Sequence, residues 1–195
     1  MSDVAVLFAR QDSIYKKLPG CDVWDIERDA RRYGGTSPVV AHPPCRAWGR
    51  LRHFAKPRPD EKALALFAVE RVRQLGGVLE HPAHSLLWAA AGLPAPGQRD
   101  EFGGYTLPVH QHWWGHRAEK ATWLYIVGCE PADLPEIPLV LGKAQFVVGT
   151  SGRRRDGTRS GLKREIKKSE REATPIDFAR WLVAVAKKSR RDNLI

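Results

Sequence analysis

Short apolar runs alternate with polar, helix-forming segments along most of the chain. Residues 4–8 are continuously apolar, as in a strand that is buried on both faces. Residues 38–41 and 78–82 form two further runs, and each ends at a polar residue and a proline. Between them, the apolar residues of 60–75 recur at helical spacing and two glycines follow. This order predicts two parallel strands joined by a right-handed helical crossover.

The other predicted elements are shorter. Short helices are predicted over 12–18, 27–33 and 85–91, strands over 21–24, 122–129 and 144–148, and an irregular excursion over 92–104. Near the end of the chain, Thr174 is expected to cap a helix that begins at Pro175. We therefore expect one α/β domain with a mostly parallel central sheet flanked by helices. Its catalytic-type core would span 1–149, and 150–195 would form a basic loop and a C-terminal helix that packs on the core.

Composition places the chain among ordinary globular proteins. Of its 195 residues, 43% are hydrophobic and 28% are charged, enough for one domain with a substantial core. No apolar run is long enough to cross a bilayer, and the N-terminal residues do not read as a signal peptide. The three cysteines are widely spaced and odd in number, which favours reduced thiols and a cytoplasmic protein.

The net charge of +10 indicates a polyanionic partner. The basic residues cluster, which favours nucleic acid, with DNA first, over a merely solubilising surface. The phosphate-binding candidates in this cluster are Arg153, Arg154, Arg155 and Arg159.

Two strand ends carry the candidate chemistry. Pro43 and Pro44 end the second apolar run and fix the backbone that presents Cys45. Glu80 follows the next strand, and ligands of parallel sheets bind outside the carboxyl ends of the strands. Cys45 and Glu80 are therefore expected to face one crevice, with Arg46 and His42 lowering the pKa of the thiol. The alternatives are that Cys45 is a buried structural thiol and that Glu80 is a carboxylate that faces solvent.

Four segments, spanning roughly residues 4–128, resemble motifs of the DNA cytosine-C5 methyltransferases in their order. They are Phe8 with Asp25 near the start, Pro44-Cys45, Glu80-His81-Pro82, and Gly115 to Lys120 before an apolar strand. The chain is similar to a compact, phage-type relative of that family. The resemblance implies a trimmed Rossmann-like methyltransferase fold and S-adenosyl-L-methionine as the cofactor.

The resemblance also implies roles for single residues. Cys45 would attack C6 of cytosine, Glu80 would stabilise the N3 side, and Arg117 would grip the flipped base. Phe8, Asp25 and Pro43 would line the cofactor pocket. Nucleic acid would be bound by Arg46, Trp48, Arg50 and Lys120, with Trp113 and Trp114 as further surfaces on which a base could stack.

The same residues satisfy a chemical requirement that is independent of any family. Carbon 5 of a pyrimidine becomes nucleophilic when a thiolate adds at C6 and the N3 side is stabilised. Cys45, Glu80 and a cation from Arg117 or Arg46 can supply that set.

Three alternatives stay open. One is a pyrimidine-modifying enzyme that uses another donor or acts on free nucleotides, since Phe8-Ala9-Arg10 stands where the family has a glycine-rich turn. A second is a non-catalytic nucleic-acid-binding protein. A third is a zinc enzyme, although we expect no metal because the histidines His81, His84, His110, His112 and His116 lack a familiar ligand spacing.

Overall fold

The structure, a computed structural model, describes residues 3–49, 52–138, 140–148 and 164–189. Its main element is a six-stranded sheet in the spatial order β2-β1-β3-β4-β6-β5. In chain order the strands are β1 (Val4–Leu7), β2 (Cys21–Trp24), β3 (Val39–Ala41), β4 (Gly77–Pro82), β5 (Tyr105–His110) and β6 (Ala121–Val127). β1 to β4 pair in parallel, whereas β6 runs antiparallel to both β4 and β5. The expected mixed α/β fold with a mostly parallel sheet is confirmed.

Helices cover both faces of this sheet. They are α1 (Glu61–Leu75), α2 (Leu87–Ala90), α3 (Lys168–Glu172) and α4 (Ile176–Lys188), and a separate two-stranded sheet pairs β7 (Phe146–Val147) with β8 (Arg164–Glu165). α4 buries its apolar side against one face through Phe178 and Leu182, while α1 packs on the other through Val69 and Val72. Because successive strand residues point to opposite faces, Val78 lies under α4 and Leu79 under α1.

Several short predictions need correction. Residues 12–18 and 27–33 form only 3₁₀ turns, over Ile14–Lys17 and Ala30–Arg32, and the second begins after Asp29 takes a left-handed φ of 55°. The last helix begins at Ile176, so Pro175 is its N-cap residue and makes no side-chain cap bond. β5 was not predicted as a strand.

The strand order locates the place where a ligand would bind. The chain passes from β1 to β2 on one side and then crosses back to β3 on the other side of β1. Such a reversal opens a crevice at the carboxyl ends of the two central strands. The residues at that edge are Phe8 after β1, His42 to Cys45 after β3, and the end of β4 with Glu80.

Candidate active site

His42 and Glu80 lie side by side because of the register between β3 and β4. Ala41 pairs with Leu79, so the next residue on each strand is also adjacent, and both side chains project to the face covered by α4. His42 Nδ1 is 3.0 Å from a carboxylate oxygen of Glu80. His42 Nε2 is 2.9 Å from the hydroxyl of Tyr15, which lies on the 3₁₀ turn between β1 and β2.

Glu80 is held as an anion. Its second oxygen accepts a 2.9 Å hydrogen bond from Gln111 Nε2, which also donates to Thr122 at 3.1 Å. Burial alone would raise the pKa of Glu80, but the His42 hydrogen bond, followed by the positive charge of Lys120, outweighs it and lowers the pKa to about 2. At neutral pH, Glu80 therefore offers acceptor oxygens rather than a proton.

The protonation of Glu80 also fixes the direction of its hydrogen bonds. An ionised Glu80 requires His42 Nδ1 to donate, which leaves Nε2 to accept from the Tyr15 hydroxyl. Burial raises the pKa of Tyr15, and the charge of Glu80 adds to that effect, so the phenol keeps its proton. His42 and Gln111 together hold the carboxylate in place, and Tyr15 holds His42.

Cys45 follows β3 at the same edge of the sheet and is exposed. Removal from water by its crowded surroundings raises the pKa of the thiol, the charge of Glu80 raises it further, and Lys120 opposes both. Because the residue is exposed, the first of these causes is tempered and the sulfur stays accessible to a ligand. The thiol pKa was expected to be lowered and is instead raised overall, and Arg46 forms its ion pair with buried Glu61 of α1.

Lys120 is the cation that interacts with both reactive groups. It precedes β6 and has a left-handed φ of 44°, a conformation that non-glycine residues adopt at some cost. Burial lowers the pKa of its ammonium group, against the charges of Glu80 and Cys45, which raise it. Its Nζ donates to the carbonyl oxygen of Ala173, 3.1 Å away. Lys120 is thus placed as a neighbour of Cys45 and Glu80 rather than as an outlying phosphate contact.

Arg117 is held away from that pair. It forms an ion pair with Glu170 of α3, and its guanidinium lies 4.1 Å from the centre of the Phe146 ring. The structure therefore brings Cys45, Glu80 and Lys120 together, and places Arg117 against the C-terminal segment.

The three residues expected to line a cofactor pocket are already engaged. One oxygen of Asp25 pairs with Lys16 at 2.7 Å, and the other accepts the backbone N–H groups of Glu27 and Arg28. The Lys16 hydrogen bond lowers the pKa of Asp25 despite its burial. Phe8 has a left-handed φ of 61° and packs edge-on against Phe67 of α1. Pro43 is buried.

The candidate nucleic-acid contacts differ in outcome. Trp48 and Trp114 are only 8% and 5% exposed, so the expectation that their ring faces are open to a base is not met. Trp114 packs on Trp181 with ring centres 5.2 Å apart. Trp113 is partly buried against the same core. The remaining candidates Arg50, Arg153, Arg154, Arg155 and Arg159 lie outside the described residues.

The histidines considered for zinc are dispersed. Within the described ranges, no group of three or more His, Cys, Asp or Glu side chains is placed to hold a metal ion. His81 is fully buried on the α1 face, where burial lowers its pKa to about 4. The ring nitrogens of His116 lie 2.8 and 3.2 Å from the carbonyl oxygens of Ala118 and Glu170.

Sequence reasoning missed Tyr15, Gln111 and Thr122, and it did not see His42 as the partner of Glu80. A signal for the His42–Glu80 pair was present. Two parallel neighbouring strands that both end in a polar residue place those residues side by side when their apolar runs align. Tyr15 and Gln111 lie in 3₁₀ turns, and the sequence around them shows no comparable pattern.

Comparison with known proteins gave no match: no family model, no curated protein and no solved structure is significantly similar to the chain. Among the described residues, no helix has the length and apolarity needed to span a membrane.

Proposed function

We propose that this protein modifies a pyrimidine at C5 through a covalent intermediate with Cys45, and that cytosine in DNA, the substrate implied by the resemblance, is its target. One observation carries the proposal. Exposed Cys45 follows β3, Glu80 lies near the end of the neighbouring parallel strand β4, and Lys120 directly precedes β6, so the three residues share one edge of the sheet, where their charges act on one another. Clusters of this kind in a crevice are typical of reactive sites.

The proposed step begins when Cys45 loses its proton to solvent and its sulfur bonds to C6 of the ring. The electron pair of the C5=C6 bond moves to C5 and is shared with the N3 and O2 side. C5 then takes an electrophile or a proton. When the original C5 hydrogen leaves as a proton, the S–C6 bond breaks, its electron pair returns to the sulfur as thiolate, and the double bond forms again.

Glu80 and Lys120 have complementary parts in this step. Ionised Glu80 accepts a hydrogen bond from the exocyclic amino group of cytosine, which orients the ring and distinguishes it from uracil. The positive charge of Lys120 stabilises the electron density that accumulates on the ring when the sulfur adds. Lys120 therefore takes the part that the resemblance gives to Arg117.

The strand order is a second argument for the proposal, because it is compatible with a trimmed Rossmann-like methyltransferase fold. The reversal of strand order between β1 and β3 opens a crevice where the reactive groups lie.

The residues expected to bind S-adenosyl-L-methionine, the donor that the resemblance implies, do not fit that cofactor well. Asp25 is only 5% exposed and both of its oxygens already accept hydrogen bonds, from Lys16 and from backbone N–H groups, so this buried carboxylate is not open to a ribose. We derive no step through this cofactor. That observation favours a second candidate, a pyrimidine-modifying enzyme that uses another donor or acts on free nucleotides.

Tritium release from C5 tests the chemistry without any donor. The protein is incubated with duplex DNA, single-stranded DNA or dCMP that carries tritium at C5 of cytosine. We expect release into water by the wild-type protein, a loss of about 100-fold or more in Cys45→Ser, and little change in the control Cys21→Ser, which removes another thiol. Equal release by wild type and Cys45→Ser, or none from all three substrates, refutes the proposal. Release from dCMP alone selects the free-nucleotide candidate.

A further inference from the structure

The C-terminal segment that contains α3 lies across the cationic side of the crevice. Glu172 pairs with Arg10, which follows β1, at 3.1 Å. Glu170 pairs with Arg117, and its backbone carbonyl lies 3.2 Å from a ring nitrogen of His116. The carbonyl of Ala173, directly after α3, accepts the hydrogen bond from Lys120. The segment is therefore held by Arg10, Arg117 and Lys120, and of these Lys120 interacts with both reactive groups.

Each arginine has one fixed neighbour and one contact from α3. Asp12 binds two nitrogens of Arg10 at 2.8 and 2.9 Å, which leaves the remaining terminal nitrogen to Glu172. The ring of Phe146 packs against the guanidinium of Arg117, and a terminal nitrogen of that guanidinium donates a hydrogen bond to the carboxylate of Glu170. Residues two apart project from nearly opposite sides of a helix, so the two arginines hold α3 from either side.

The charge of one of the two glutamates, Glu172, reaches the Cys45 thiol. The charge of Glu172 contributes to raising the pKa of the Cys45 thiol and acts on Lys120 as well. α3 thus brings negative charge to the crevice that a strand of DNA, which is itself an anion, would have to enter.

We infer that Arg10 and Arg117 form a binding surface for backbone phosphates of a nucleic-acid strand, and that Glu170 and Glu172 occupy this surface in the free protein and exchange for those phosphates on binding. Guanidinium groups recognise carboxylates and phosphates with the same paired hydrogen-bond geometry. The arginine side chains are 39% and 57% exposed, and exposed ion pairs of this kind contribute little to stability, so the exchange is easy.

The partner is a phosphodiester strand rather than a single nucleotide, because two arginines on either side of α3 suit two separate phosphates. The inference rests on the proposed function for its reason why a strand approaches Cys45. It adds two phosphate contacts from the described part of the chain to those expected of the basic residues after Arg153.

Salt-dependent binding tests the surface. A fluorescent 20-base-pair duplex is titrated with protein at several KCl concentrations, and the dissociation constant is read from anisotropy. Each phosphate that is neutralised contributes about 0.9 to the slope of log affinity against log salt. We therefore expect Arg10→Gln/Arg117→Gln to bind more weakly, with a slope shallower by about 1.8.

Substitution of the glutamates gives the opposite change. Glu170→Gln/Glu172→Gln should tighten binding by about 10-fold at 100 mM KCl, because the arginines are free before the DNA arrives. The matched control, Glu70→Gln/Asp177→Asn, also removes two exposed carboxylates, each paired with an arginine three residues away. Its net charge changes equally, so it reports the general electrostatic effect.

Three results overturn the inference. They are an unchanged salt slope in the arginine variant, tightening by the glutamate variant no greater than that of the control, and equal tightening by the glutamate substitutions when both arginines are already glutamine. Competition by dCMP or inorganic phosphate at concentrations comparable to those of the duplex would show that the surface binds a single phosphate, and would refute the proposal that it binds a strand. Binding needs no catalysis, so these outcomes are independent of tritium release, and either proposal can fail alone.

Discussion

The charge of Glu80 makes a prediction that is independent of any substrate. Glu80→Gln keeps the shape of the side chain and removes its ionisation. In the folded protein, the pKa of Glu80 is about 2, against an ordinary value of 4.5. A carboxyl group whose pKa is lowered by folding stabilises the folded state above its ordinary pKa, and this contribution is lost as the pH falls through the folded value.

The magnitude follows from the two pKa values. The difference of 4.5 − 2 is about 2.5, and at 1.36 kcal/mol for each tenfold change in proton affinity it amounts to about 3 kcal/mol at pH 7. Linkage then gives a loss on the order of 1 kcal/mol by pH 3.5 and roughly 2 to 3 kcal/mol by pH 2.5. Other acidic groups lose their contributions equally in both proteins, so the difference between wild type and variant isolates Glu80.

Urea unfolding at a series of pH values, followed by tryptophan fluorescence, measures this difference. The stability advantage of the wild-type protein over Glu80→Gln should shrink by on the order of 1 kcal/mol between pH 7 and pH 3.5. Glu119→Gln, which removes an exposed carboxylate next to Lys120, serves as the control and should show a much flatter difference. A difference between wild type and Glu80→Gln that stays constant across this pH range would refute the assignment of Glu80 as an anion stabilised by His42 and Lys120.

Two further predictions concern the thiol and the sheet. Iodoacetamide alkylation of Cys45 at pH 8, followed by mass spectrometry, should be faster in Glu80→Gln, because this substitution removes a charge that raises the thiol pKa. It should be slower in Lys120→Met, because this substitution removes a charge that lowers the thiol pKa. The same rate in all three proteins would show that these charges do not reach the sulfur. Gly77→Ala should destabilise the fold by several kcal/mol or prevent folding, because Gly77 has a φ of 119° and its added Cβ would collide with the carbonyl of Val39; unfolding close to the wild-type midpoint would contradict the close approach of β3 and β4.

The prediction of the central β3–α1–β4 unit succeeded because its signals were local and mutually consistent. The helix has the spacing of a 3.6-residue period and ends at Gly76, whose φ is 75°. Residues 38–41, and the pair Val78-Leu79 at the start of 78–82, are apolar and short, as in strands buried on both faces. Parallel pairing then followed from the single helix between them.

β5 escaped prediction for a reason that tertiary structure supplies. Its residues 105–110 are less apolar than those of the central strands, and Pro108 interrupts them. A proline cannot donate a ladder hydrogen bond, which argues against a central strand. The sheet places β5 at its edge, where a missing donor is tolerated. No pattern within these six residues could have located that edge.

The shorter helices failed because their segments are too brief for periodicity to decide. Residues 12–18 tighten into a 3₁₀ turn before Pro19-Gly20, and the turn presents Tyr15 to His42. Trp48 and Trp114 illustrate the same limit for side chains: an aromatic residue beside a candidate site has the same sequence signal whether it faces solvent or, as here, lies buried.

The sequence by itself determined the parallel unit and the two chemical groups at its edge, since strand ends, prolines and the residue types Cys45 and Glu80 are written in consecutive residues. Only the tertiary structure decided which groups surround them: Tyr15, Gln111, Lys120 and α3 arrive from distant parts of the chain. Charge and burial depend on distances in space rather than along the chain. For that reason the pKa of the thiol, the ionisation of Glu80 and the position of Lys120 beside both groups became visible only in the folded protein.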